Sequence, residues 1–371
     1  MAKFELLIGA DAFWRRLEQD IGQAQRRVLV QAMTFEGDRV GRDLAAAIVN
    51  SRAADRRVLV DRFTKFVVSD RFVYSPWGLL DAALRAEVRD TGRMFAEMVS
   101  AGVGVRWTNP AGAFLWRFAA RNHKKLMVVD DAAYLGGINF SEHNFSWLDL
   151  MVRIEDPAAV DFLAADFDAT YAGHPVAGSA DGEDCSVLSL DGVGNAQAYG
   201  SLIERLGGAR ESILVVSPYI TFPFMKPLGA ARARGVPVTL IVPQQNNKKT
   251  VERYLRWEAG RQNIELLRTP GMHHMKAIVI DGEELIVGSS NFDLVSYHAH
   301  EEFMLSIRHQ ATVDRFTAAI GPRAAAAVSA AGSRRPARLA GPLSYLLLKI
   351  VAGFARLGGL ARRHSVDFDA G

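Results

Sequence analysis

The sequence predicts an α/β protein of two similar repeats, each a mixed β-sheet flanked by helices, closing into one pseudo-two-fold globule with the site between them. Three observations lead there. A single chemical phrase occurs twice, as His123-Lys-Lys-Leu-Met-Val-Val-Asp130 and as His274-Met-Lys-Ala-Ile-Val-Ile-Asp281, each followed by a Gly-Gly or Gly-Ser pair and an Asn. Short β-branched runs alternate with helix-length amphipathic segments in an order that repeats, and alternating β and α units build a sheet with helices on its faces. A stretch rich in Gly, Ala, Ser and Asp at 172–194 separates the two series, a composition that reads as a linker.

In the first series, residues 10–25 have apolar positions at helical spacing, 27–35 read as a strand, 41–51 as a helix and 57–60 as a strand. The second series repeats the order with a helix at 199–206, a strand at 212–217, a helix at 228–234 and a strand at 236–242. The expected organisation is a first half over 1–178, a linker over 179–193, a second half over 194–330 and a tail over 331–371. Residues 64–122 form an excursion without a counterpart in the second half. Its aromatics (Phe66, Phe72, Tyr74, Trp77, Phe114, Trp116, Phe118) either wall an acyl-chain groove or pack an inserted helix pair.

The runs Leu126–Val129 and Ala277–Ile280 are short and β-branched, hence strands. Side chains two apart on a strand share a face, so His123 points with Lys125, and His274 with Lys276. Asp130-Asp131 and Asp281-Gly282 read as turns into a second strand. Asp130 and Asp281 therefore read as structural, because a turn carboxylate bonds backbone N–H groups. Beyond them, Gly136-Gly137 and Gly288-Ser289 allow close backbone approach to a ligand, and Asn139 and Asn291 follow. A third strand opens on a carboxylate in each copy, Asp149 and Glu302. A carboxylate accepting the far ring N–H of a His fixes its tautomer and raises its basicity. Within each repeat this pairs Asp149 with His123 and Glu302 with His274. Glu301 is the alternative, because a one-residue shift reverses the face.

This residue set suits phosphodiester transfer. Imidazole can carry phosphorus transiently, and a second imidazole can serve as acid and then base. Lys125, Lys276, Asn139, Asn291 and Ser289 offer donors for the phosphorane oxygens. The first half-site, with Gly137 in place of the Ser289 hydroxyl, is expected to rely on Lys125, Asn139 and backbone N–H groups. No clustered Cys/His/carboxylate ligand set is seen in the sequence, so neither a metal nor a cofactor is expected. The remaining histidines (His143, His174, His273, His298, His300, His309, His364) read as ordinary surface or core residues.

The duplicated His-x-Lys-x4-Asp phrase resembles the phospholipase D superfamily. The stretches Trp147–Pro157 and Gly288–Ser296, with Glu302 shortly after, look like its bacterial cardiolipin synthase and phosphatidylserine synthase branch. The resemblance implies a phosphatidyltransferase working through a phosphohistidine, with His123 as nucleophile and His274 as acid/base. It implies a phosphatidylglycerol-type phospholipid as substrate. Phospholipid hydrolysis and nucleic-acid phosphodiester cleavage use the same residues and stay open as alternatives.

The 44 basic and 41 acidic residues leave a net charge of +3, which gives no strong nucleic-acid footprint. Cys185 is the single cysteine, so no intrachain disulfide is possible. The opening Met-Ala-Lys-Phe-Glu-Leu-Leu-Ile lacks the pattern of a signal peptide. In the tail, Arg334, Arg335 and Arg338 precede a segment in which Lys349, Arg356 and Arg363 share one helix face. Leu343, Leu346, Leu347, Ile350, Phe354 and Leu357 occupy the other. Its uncharged run reads as too short to span a bilayer. The tail is therefore expected either to lie on an anionic membrane surface or to dock on the core. The protein is expected to be monomeric, cytoplasmic and peripherally membrane-associated.

Overall fold

The computed structural model describes residues 3–110, 117–175, 177–329, 339–362 and 369–370. Phe114, Trp116, Arg334, Arg335, Arg338, Arg363 and His364 lie outside the described residues. Two mixed sheets flanked by helices form the body. The first runs, strand beside strand, Phe4–Ile8, Leu150–Ile154, Ala132–Gly136, Leu126–Val129, Arg27–Ala32, Asp55–Asp61, Gly104–Thr108 and Asp369–Ala370. The second runs Gly178–Gly182, Cys185–Asp191, Glu301–Ile307, Glu284–Gly288, Ala277–Ile280, Ile213–Val216, Val238–Pro243, Glu265–Thr269 and Val328–Ser329. The seven-strand pattern from Phe4–Ile8 to Gly104–Thr108 recurs from Cys185–Asp191 to Glu265–Thr269, so the duplication of the phrase is a duplication of the fold.

Two expectations are corrected by this correspondence. Residues 179–193 are not a linker. Cys185–Asp191 pairs with Glu301–Ile307, as Phe4–Ile8 pairs with Leu150–Ile154, and its alternate burial is that of a strand with one core face. Gly, Ser and Asp there belong to a hairpin, not to a tether. Nor is all of 64–122 an excursion. Helix Ala82–Ser100 and strand Gly104–Thr108 match helix Lys249–Arg261 and strand Glu265–Thr269, each strand pairing parallel with the one before it in its sheet. What the first half adds includes the segment from Arg62 to Leu80, with a small hairpin and the short helix Pro76–Leu80.

One hydrophobic cluster joins the halves. It takes Leu126, Val128, Leu135 and Val152 from the first sheet and Val279, Leu285, Val287 and Leu305 from the second. These strands are buried on both faces, which explains why they read as continuous apolar runs.

The helix Ala340–Arg362 packs on Lys249–Arg261 and Leu294–His298. Its docked face is mostly small: Gly341 against Trp257, then Ser344, Leu348, Ala352, Ala355, and Gly359 against the His298 carbonyl. A Cβ at Gly341 would overlap the Trp257 side chain. The large apolar residues point the other way, with Phe354 67% and Leu357 64% exposed. The tail thus docks on the core through its small face. The expectation about span is corrected: Ala340–Leu360 is 21 residues and, by length and composition, apolar enough to cross a bilayer. Only Lys349 and Arg356 interrupt it, and Lys349 places its ammonium over the Phe222 ring.

Candidate active site

The site forms where each half lends a strand start to the other. Two short parallel bridges cross between the halves, Asn122 to Glu301 and Leu148 to His273. The His123 N–H donates to the Glu301 carbonyl at 2.9 Å, and the His274 N–H donates to the Leu148 carbonyl at 2.8 Å. Residues 302 and 149, next in chain, are thereby set beside the histidine of the opposite half.

This crossing overturns the same-repeat pairing. His123 Nδ1 lies 2.9 Å from Glu302 Oε2, and His274 Nδ1 lies 2.9 Å from Asp149 Oδ2. Within one sheet, the carboxylate strand stands two strands away from the His strand, a separation of about 9–10 Å, out of hydrogen-bond reach. Glu301 takes neither role, its carboxylate accepting instead from Asn109 Nδ2 at 3.1 Å. Both histidines, both lysines and both carboxylates are buried.

With Nδ1 donating to a carboxylate, each imidazole keeps Nε2 for chemistry. Burial, reinforced by Lys276, lowers His274 to about 4. Burial also drives His123 well below its ordinary value, with Lys125 and His300 pushing the same way and Glu302 opposing. Lys125 falls to about 7 and Lys276 to about 8, burial being the main cause in both. Lys125 and Lys276 each lower the other half's site, and both feel Asp149 and Glu302. The two motifs are therefore one electrostatic unit. Burial alone would raise Asp149 and Glu302. Lys276 and His274 hold Asp149 below the usual carboxylate range, and His123 and His300 hold Glu302 well below it.

Lys125 Nζ donates to the His123 carbonyl at 2.8 Å, and Lys276 Nζ donates to that of His274. An ammonium has three donors, so each lysine keeps two for a ligand. Asn139 Oδ1 accepts from the Thr34 N–H at 3.2 Å, which leaves its amide nitrogen as the donor. Asn291 has a buried Oδ1 without a protein partner. Two residues beyond each Asn, Ser141 and Asp293 cap the short helices Glu142–Phe145 and Leu294–His298. The caps fix where each Asn leaves its strand.

Gly137 and Ser289 are reassigned. The Gly137 N–H donates to the Leu150 carbonyl and the Ser289 N–H to the Phe303 carbonyl, at 3.0 and 3.1 Å. Neither amide is left for phosphate. The Ser289 hydroxyl donates to Glu302 Oε2 at 2.6 Å. A Cβ at Gly137 would overlap the Asp149 carboxylate. Both positions shape the carboxylates and not the ligand. At the far strand ends Asp130 accepts from the N–H groups of Gln25, Arg26 and Arg27, and Asp281 from those of Arg210, Glu211 and Ser212.

Sequence reasoning missed the rings that meet the two imidazoles. His300, read as ordinary, stacks on His123 with centroids 5.1 Å apart at 29°. Trp147 meets His274 at 5.3 Å, and Tyr219 meets it at 5.9 Å. His300 and Trp147 each stand two residues before the site carboxylate, and the strand period of two was the available signal. Asp61 was missed too. It accepts from the Asn122 N–H at 2.6 Å and from Arg121 at 3.0 Å, anchoring the approach to His123. No local pattern announces that. His143, also read as ordinary, bonds Asp70 at 3.2 Å beside Trp147. His273 is buried, and burial lowers it to about 3.

The expectation of no clustered ligand set is corrected in space. The ligand-type atoms of His123, His300 and Glu302 lie within 4.8 Å of one another, as do those of Glu36, Asp38 and Glu87. In the first set Glu302 already accepts from His123, Ser289 and Ser296.

A family model described as cardiolipin synthase, PLD-like domain, matches residues 17–171 and 202–321. The chain belongs to this family. Among curated proteins it is similar to cardiolipin synthase A of Pseudomonas syringae pv. syringae, with 27% identity over 329 residues, 82% of this chain and 64% of that one. It is also similar to cardiolipin synthase A of Pseudomonas fluorescens, with 28% identity over 331 residues, 81% of this chain and 64% of that one. The chain thus spans 64% of the length of these two relatives. In fold it resembles phosphatidylserine synthase of Haemophilus influenzae, with a TM-score of 0.68 at 15% identity over 95% of this chain and 94% of that one. It also resembles polyphosphate kinase of Porphyromonas gingivalis, with a TM-score of 0.58 at 15% identity over 95% of this chain and 56% of that one.

Proposed function

We propose that this chain is a cardiolipin synthase-like phosphatidyltransferase acting on phosphatidylglycerol-type phospholipids. The observation that carries the reading is the crossed pair of buried His–carboxylate couples with two buried lysines, each bonded among the described residues only to a backbone carbonyl. Buried charge is normally paired, so two such lysines suit a phosphate.

In this reading His123 Nε2 attacks phosphorus. The bond to the leaving alcohol breaks, and His274 gives that alcohol a proton. An acceptor hydroxyl then attacks the phosphohistidine, His274 takes its proton, and His123 is released. The free site holds His274 neutral. A bound phosphate offsets the lysine charge that helps to hold it so, and this makes the acid form accessible. Lys125, Lys276, Asn139 and Asn291 stabilise the oxygens that gain charge. No step needs a metal or cofactor.

The membrane partner is an anionic lipid surface, met by the outward apolar face of helix Ala340–Arg362. Leu346, Phe354 and Leu357 offer that face for burial, worth about 25 cal/mol per Å² removed from water. Leu346→Ser with Phe354→Ser should weaken co-sedimentation with phosphatidylglycerol vesicles; unchanged binding would reject the contact.

The deciding experiment is lipid mass spectrometry of purified protein with phosphatidylglycerol vesicles, with and without added glycerol. Cardiolipin accumulation, reversed by glycerol, is expected. Phosphatidic acid as the sole product would make the chain a hydrolase, and no turnover would reject the lipid reading.

A further inference from the structure

A groove of 620 Å³ lies between helix Ala82–Ser100 and strand Gly104–Thr108. Sites for small ligands typically span about 300–1,000 Å³ and are mostly apolar. Val88, Gly92, Phe95, Ala96 and Val99 line it from one helix face, and Trp107 closes the strand side. Phe95 and Trp107 stand edge to face with centroids 4.8 Å apart, so the floor is firm. Gly92 leaves open space where a Cβ would be. The matching helix of the second half, Lys249–Arg261, is packed instead under the C-terminal helix.

A second observation meets the first at Tyr74, which lines the groove and is 55% exposed. Directly after it, helix Pro76–Leu80 turns Trp77 (80% exposed) and Leu80 (78% exposed) outward. This tip is held in shape: Ser75 caps the helix through the Gly78 N–H at 2.9 Å, and Arg71 clasps Asp81 at 2.6 Å. Large apolar side chains fixed outward beside an apolar groove mark a surface that meets an apolar phase, and tryptophan favours the membrane interface. At the groove's rim Lys65 holds its ammonium 4.3 Å over Trp107, with no carboxylate partner among the described residues. Lys65 ends the 3-10 turn that starts after Asp61. At about 2 Å rise per residue, the rim lies on the order of 10 Å from the carboxylate that anchors Asn122.

We propose that the segment from Arg62 to Trp107 is a lipid-entry port: the Trp77–Leu80 tip enters an anionic bilayer, and the groove takes one acyl chain of the phospholipid whose phosphodiester reaches His123. The proposal rests on the lipid reading above. It also moves the acyl-chain groove from the aromatics the sequence suggested to a helix face, since of the five among them that are described only Tyr74 lines the cavity.

The test compares the full chain with Gly92→Trp and Ala96→Trp, which fill the groove, on dioleoyl phosphatidylglycerol vesicles and on monomeric dihexanoyl phosphatidylglycerol. Each variant should lose at least tenfold on the long-chain lipid and stay within twofold on the short-chain one. Trp77→Ser should lower vesicle turnover alone. Equal loss on both lipids, or no loss on either, overturns the groove. If the wild type turns over neither lipid, the transferase reading fails separately. The groove is then judged by binding phosphatidylglycerol brominated on its acyl chains. Saturable quenching in a Trp77→Phe background that disappears on adding Trp107→Phe or Gly92→Phe supports it, and its absence overturns it.

Discussion

In the first half-site a buried imidazole, His123, stacks on His300 and donates to Glu302, which also accepts from Ser289 and Ser296. In the second, His274 meets Trp147 and donates to Asp149, which accepts in addition only from its own neighbour's N–H, at Leu150, among the bonds seen. The device is the same and the surroundings differ. Where the longer carboxylate stands, a serine supports it; where the shorter one stands, a glycine makes room, because a side chain at 137 would overlap Asp149. Ser289 with Glu302 and Gly137 with Asp149 are thus alternative solutions to holding one oxygen on Nδ1. The difference suits two imidazoles with unlike tasks, one carrying phosphorus and one carrying protons.

The largest effects should come from the imidazoles themselves. His123→Ala and His274→Ala should each lower turnover by at least about 10³-fold, general acid–base help alone being worth about 10²–10⁴, with circular dichroism unchanged. A leaving group of low pKa separates them: a p-nitrophenyl phosphodiester should restore much of the first step in His274→Ala and little in His123→Ala. Equal rescue would erase the proposed division of roles.

The carboxylates should follow the crossed pairing. Glu302→Gln should reproduce the His123 defect with the p-nitrophenyl substrate, and Asp149→Asn the His274 defect, each costing up to about 10⁴-fold because the imidazole loses its fixed tautomer. Double-mutant cycles should show coupling for His123 with Glu302 and for His274 with Asp149, and near additivity for the same-repeat pairs. Coupling within repeats would reject the geometry.

A smaller contrast tests the supports. Gly137→Ser forces a side chain against Asp149 and should cost about 1–3 kcal/mol, with activity falling toward that of Asp149→Asn. Ser289→Ala removes one hydrogen bond to a charged group, about 1.5–3 kcal/mol at most, but leaves Glu302 held by Ser296, so its activity should fall less. Thermal melts and turnover for the two variants decide the ordering.

Much of this was legible because the phrase is duplicated. The period of two put His123 with Lys125 and His274 with Lys276, and turn chemistry marked Asp130 and Asp281. The pairing of carboxylates was not legible. It depends on the bridges from Asn122 to Glu301 and from Leu148 to His273, and a sequence shows repeats without showing how they cross. Cys185–Asp191 was hidden by its Ser and Asp residues, which are ordinary on an outer strand with one exposed face. The small docked face of Ala340–Arg362 was overshadowed by the large residues opposite it.

The lysines give the finest test of the comparison, because Lys125 falls to about 7 and Lys276 to about 8 from an ordinary 10.5. In the free enzyme each loses its proton as pH rises through that range, so kcat/KM should decline on the alkaline side. Stability should move the opposite way. Between about 7 and 10.5 the unfolded chain binds more protons at Lys125 than the folded one, so this group's contribution rises with pH, is complete above its unfolded pKa and is lost as pH falls through about 7. The Tm difference between wild type and Lys125→Met, followed over that window, isolates the term. Lys125→Arg keeps its charge throughout, so its alkaline limb should move up to the value set by Lys276. A limb that stays where it was would show that the first half-site lysine does not hold the phosphate charge.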